Sequence, residues 1–101
     1  MSVYMVMDSH VLDQEAYDQY LQLVPPIVAR YGGRYLVSGG KITPLGNKEW
    51  QPERMIILEF PAMENIQQWL ISPEYRQIAP LRERGADVRA VALEEYPQKA
   101  P

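Results

Sequence analysis

The chain has 101 residues, no cysteine, and 10 basic against 13 acidic side chains, a formal net charge of −3. With 47% hydrophobic and 23% charged residues, it has the composition of one globular domain spanning 1–101, which excludes a disordered tail, a fibrous repeat and a disulfide scaffold. An acidic balance repels phosphate backbones, so no nucleic-acid partner is expected.

Val3 to Met7 is a β-rich apolar run that ends at Asp8 and Ser9, and it predicts the first strand. It lacks the basic start and longer apolar core of a secretory leader. No stretch approaches the ~20 apolar residues of a membrane span. No membrane partner is therefore expected, and the location expected by default is cytoplasmic.

Asp13 is an N-cap for a helix over about 14–31, in which Tyr17, Tyr20, Leu21, Val24, Ile27, Val28 and Tyr31 share one face. Pro25 and Pro26 lack N–H groups and predict a kink or short break. Gly32 and Gly33 supply a left-handed stop.

Arg34 to Ser38 is the second strand, closed by Gly39 and Gly40. Lys41 to Glu53, with Pro44, Gly46, Asn47 and Pro52, is a long hairpin connection with a mobile tip. Arg54 to Phe60 is the strongest strand signal. Met63, Ile66, Trp69 and Leu70 form a second helical stripe. Ser72, Pro73 and Glu74 restart a helix as cap, first position and dipole partner, with Tyr75, Ile78 and Leu81 on its apolar face. Val88 to Glu95 is the last strand, and 97–101 a frayed tail.

The order βαββαβ is that of the ferredoxin-like α+β fold, an antiparallel four-stranded sheet with helices on one face. In Arg54–Phe60, Met55 and Ile57 point one way and Ile56, Leu58 and Phe60 the other. A strand apolar on both faces is buried on both, yet the chain's own helices cover only one. A second copy of the sheet is the simplest cover, so the expected assembly is a homodimeric α+β barrel.

Several stretches carry a resemblance: Tyr31-Gly32-Gly33-Arg34-Tyr35-Leu36-Val37-Ser38-Gly39-Gly40, Trp50-Gln51-Pro52-Glu53-Arg54, Leu58-Glu59-Phe60-Pro61, and Trp69 with Ser72-Pro73-Glu74-Tyr75. With Tyr17, Tyr20, Pro25 and Pro26, they make the chain, over roughly residues 3 to 96, resemble the family catalogued as domain of unknown function 1330. The resemblance implies the dimeric α+β barrel superfamily, whose members include cofactor-independent monooxygenases, isomerases, haem-binding enzymes and ligand-binding modules. It supplies no reaction. Ser38 stands where the family more often has arginine, which weakens an anion site built from two arginines on that strand.

His10 is the only histidine, and no paired-histidine or clustered-acid motif is present. No metal and no cofactor are therefore expected. The glycine pairs match no phosphate-binding loop. Two functional readings stay open. In the first, a small organic molecule occupies a cleft between helices and sheet, lined by Tyr17, Tyr35, Trp69 and Tyr75. Arg34 or Glu59 polarises that cleft for acid/base chemistry. Both charges lie within strand signals, where a charge needs a partner, and they sit in adjacent strands of one hairpin. Arg54 is read as a more exposed surface or interface charge. In the second reading the protein is a non-catalytic homodimeric binding or interaction module, and the same residues only hold the barrel together.

Overall fold

The computed structural model describes residues 1–46 and 48–98. The expected fray over 97–101 falls partly on 99–101, outside the described residues. Seven elements follow one another: β1 (Val3–Val11), α1 (Gln14–Arg30), β2 (Arg34–Ser38), β3 (Met55–Phe60), α2 (Met63–Ile71), α3 (Pro73–Gly85) and β4 (Ala86–Glu94). The four strands form one antiparallel sheet in the order β2-β3-β1-β4. This is the ferredoxin-like arrangement expected from the pattern.

Local chemistry accounts for the boundaries. The Asp13 carboxylate accepts from the Ala16 N–H at 3.3 Å and starts α1. The Ser72 hydroxyl accepts from the Tyr75 N–H at 3.1 Å and starts α3, with Pro73 in the first turn. Gly32 takes φ +85°, the left-handed stop after α1.

Four local expectations need correction. Strand β1 does not end at Met7 but runs on to Val11. Its partners continue past the polar residues, β3 to the pair Asp8↔Met55 and β4 to Val11↔Ala86. Strand β4 likewise starts at Ala86 rather than Val88. Pro25 and Pro26 do not break α1, which runs 17 residues through them. Both prolines are exposed, between the buried Val24 and Ile27, and each leaves one carbonyl a turn earlier without its N–H partner. Gly33 has no positive φ. It is needed because a Cβ there would come within 2.6 Å of the Phe60 ring and 2.7 Å of Val28.

Period-two alternation sorts each strand between two faces. Val3, Ile56, Leu58 and Phe60 are buried under the helices, together with Tyr17, Val24, Val28, Ile66 and Trp69. The other face has no helix. Tyr4, Val6, Met55 and Ile57 are half-buried there, while Val91 and Leu93 stay 57% and 53% exposed.

Gly85 joins the two halves. Its carbonyl accepts from the N–H groups of Leu12 and Asp13 at 2.8 and 3.1 Å. A Cβ there would lie 2.7 Å from the Tyr17 backbone nitrogen, with no flexible side chain to yield. Replacing glycine in a helix by alanine normally stabilises by roughly 0.5–1 kcal/mol. Here overpacking wins, and Gly85→Ala is expected to lower stability by about 1–3 kcal/mol, read as a fall in the urea midpoint.

Candidate functional site

The aromatic residues singled out by helical spacing meet between the helices and the sheet. The rings of Trp69 (α2) and Phe60 (β3) stack at 5.6 Å, and Tyr75 (α3) meets Trp69 edge-on at 4.8 Å. Tyr20 (α1) approaches Tyr75 edge-on at 6.3 Å, and their buried hydroxyls are 3.2 Å apart. Tyr17 stacks beside Tyr20 at 6.3 Å.

These rings enclose two connected spaces. Tyr17, Tyr35 and Trp69 line an inner chamber of about 20 Å³, close to one water-sized void. Trp69 and Tyr75 line an outer cleft of about 330 Å³, floored by Met5 and Met7 of β1 and by Val88 and Ala90 of β4. The four aromatic candidates therefore do come together. Tyr20 and Arg82 border both spaces.

Burial pushes the phenol of Tyr35 up to about 12, and burial beside Tyr75 drives that of Tyr20 higher still. Both are protonated donors at neutral pH. Four buried polar atoms have no hydrogen-bond partner among the described residues: the Tyr17 hydroxyl, Trp69 Nε1, Arg82 Nε and Arg54 Nε. Three belong to residues lining the inner chamber. The fourth belongs to Arg54, whose guanidinium lies 5.9 Å from the Tyr17 ring centroid and donates to the Ser38 hydroxyl at 3.3 Å.

Arg54 is thus not simply a surface charge. Its parity matches Ile56, Leu58 and Phe60, the buried set, and that alternation was the signal to find it. Arg82 carried a comparable signal: it stands seven residues after Tyr75 and four after Ile78, on the stripe that faces the core.

Arg34 and Glu59 do not polarise this cleft. They are direct cross-strand partners, with Arg34 Nε donating to Glu59 Oε1 at 2.6 Å. Glu59 has the parity of Met55 and Ile57, so the pair lies on the sheet face away from the helices. The expected pairing is present, on the wrong side for chemistry in the cleft. Hydrogen bonds from Ser2 and from Arg34 hold the Glu59 carboxyl below its ordinary value. Beside it, Tyr4 is held above the usual phenol value, chiefly by desolvation and by the Glu59 charge.

His10, in β1 near its end, is exposed and lies 3.1 Å from Glu53. Among the described residues, no group of three or more histidine, cysteine or acidic side chains could hold a metal ion. No helix there is long and apolar enough to cross a membrane.

The chain belongs to the family described as domain of unknown function DUF1330, whose profile matches residues 2–96. No curated protein matches it. Among solved structures, it is similar to the protein of unknown function RPA0582 from Rhodopseudomonas palustris. The identity is 19%, the TM-score 0.79, and the match covers 96% of this chain and 84% of that one. It is also similar to SnoaB, a cofactor-independent oxygenase from Streptomyces nogalater, at 12% identity and TM-score 0.69, covering 96% and 95%. A dimeric ferredoxin-like protein of unknown function from Thermobifida fusca matches at 11% identity and TM-score 0.65, covering 92% and 90%. At these identities the likeness is one of fold.

The lowered Glu59 carboxyl has a definite consequence for stability. Its contribution is present above the ordinary carboxylate value of 4.5 and is lost as pH falls through the lower folded value. Glu59→Gln is therefore expected to melt below the wild type at about pH 7, and the gap should narrow progressively as pH falls below 4.5. Thermal melts across that range check it.

Proposed function

We propose that this protein is a homodimer that binds a small organic molecule in the cleft between helices and sheet. One observation carries the binding reading: three buried polar atoms without partners belong to residues around these spaces, Trp69 Nε1 and Arg82 Nε at the cleft and the Tyr17 hydroxyl at the inner chamber. A buried donor left unpaired costs about 1–3 kcal/mol. A fold that keeps several in one place is compensated if a bound molecule supplies the acceptors. The cleft's size supports the same reading, since about 330 Å³ is at the lower end of small-molecule sites.

The chemistry available is donation. Phenol, indole and guanidinium groups can hold an oxyanion or stabilise one as it forms. No carboxylate lines either space, so a base would have to come from the bound molecule or from water. Glu59, across the sheet, is not the proton carrier of such a site. The small inner chamber favours the other reading, in which the aromatic residues only pack and the dimer is a non-catalytic module.

The homodimer rests on the uncovered sheet face. Tyr4, Val6, Ile57, Val91 and Leu93 lie on it side by side through the registers Tyr4↔Leu93, Val6↔Val91 and Val6↔Ile57. A contiguous apolar patch of this kind marks an interface. A second copy of the same sheet matches it by symmetry.

Two measurements test the proposal. Light scattering should report twice 11.7 kDa, and Val91→Lys should halve it; a wild-type monomer of full stability overturns the dimer. Native mass spectrometry of the purified protein should show a small-molecule adduct that Ala90→Trp, which fills the cleft floor, removes. An adduct untouched by Ala90→Trp overturns the cleft as its site.

A further inference from the structure

The outer cleft is weighted toward hydrogen-bond donors. Its floor is aliphatic, and its polar groups come from Trp69, Arg82, Tyr20 and Tyr75. Indole and guanidinium N–H groups can only donate. The two tyrosine hydroxyls, 3.2 Å apart, share one proton between them and keep a second to give away. No aspartate, glutamate, asparagine, glutamine or histidine lines the cleft.

Its charge is one-sided as well. Arg82 forms no ion pair among the described residues, although the chain as a whole carries −3. Its Nε is buried and unpartnered, as is Trp69 Nε1. A half-buried guanidinium without an anion is costly, and a carboxylate-like group meets it with short, strong bonds. A polyphosphate is a poor match, because one arginine and an apolar floor offer too little countercharge. A neutral hydrocarbon leaves every donor unpaired.

We propose that the cleft takes a monoanionic organic acid with a flat apolar body. Its oxygen anion sits at the Arg82 guanidinium, and its body lies over Met5, Met7, Val88 and Ala90. This rests on the cleft being a small-molecule site, and it names the class of molecule. Arg82 is then the residue that sets charge specificity.

The test uses naphthoate, neutral naphthamide and cationic naphthylmethylamine as probes, titrated by calorimetry into the wild type, Arg82→Met, Arg82→Lys and Ala90→Trp. Circular dichroism and melting confirm that each variant is folded. Naphthoate should bind the wild type about tenfold or more tighter than naphthamide. Arg82→Met should erase that preference, Arg82→Lys should keep most of it, and Ala90→Trp should abolish binding. Equal binding of all three probes, still blocked by Ala90→Trp, overturns the anion preference and leaves the cleft as a site. A preference that survives Arg82→Met overturns the role of Arg82. Failure of every probe to bind, with no adduct in the purified protein, overturns the cleft itself.

Discussion

Trp69 is the contact on which the rest of the molecule depends. It is 2% exposed, stacks on Phe60 of β3 and receives the edge of Tyr75 from α3. Through Tyr75 it reaches Tyr20 on α1. Three helices and the sheet thus meet around one indole. By volume it heads the fully buried side chains, while its N–H has no partner among the described residues. The largest fully buried side chain among the described residues also carries an unsatisfied donor, so core and site share residues. The end of the Trp69 helix is held by the same economy: the Ser72 hydroxyl donates to the Trp69 carbonyl at 2.7 Å and accepts from Tyr75.

A second constraint is geometric. A four-stranded sheet with helices on one side has two apolar faces and cover for one. On the covered side, the helices leave the inner faces of β1 and β4 incompletely roofed, and the cleft opens there over Met5, Met7, Val88 and Ala90. On the other side the apolar residues have no helix at all. The cleft and the uncovered apolar patch therefore belong to opposite faces of the same strands, separated only by side-chain parity.

The charges follow the same division. The side without helices holds the satisfied pair, Arg34 with Glu59, whose carboxyl is stabilised by Ser2 and Arg34. The helix side holds Arg54, which lies beside Tyr17 and touches Ser38, and Arg82, which meets no carboxylate among the described residues. Tyr31 and Glu74 form another satisfied contact, at 2.6 Å, tying the end of α1 to the start of α3 and lowering the Glu74 carboxyl. Satisfied acids hold the scaffold, and the unsatisfied donors lie on the helix side of the sheet.

Much of this was legible in the order of residues alone. Periodicity placed all four strands and the helices, and Asp13, Ser72 and Pro73 marked helix starts, because caps act within one turn of chain. Helical spacing put Tyr17, Trp69 and Tyr75 on inward faces, and adjacent strands of one hairpin allowed Arg34 to meet Glu59. Alternation also set Glu59 with Met55 and Ile57 on one face, and it held, unused, the fact that Arg54 faces inward with Ile56, Leu58 and Phe60. What only the tertiary structure decided was where the cleft opens and which side chains line it, since that depends on how three helices pack on the sheet and not on any local pattern. That packing brought Arg82 into the cleft, while the strand parity that Glu59 shares with Met55 and Ile57 keeps Glu59 out of it. The tertiary structure also explains why β1 runs past Asp8: a strand ends where its partners end, and those partners, β3 and β4, lie more than 40 residues further along the chain.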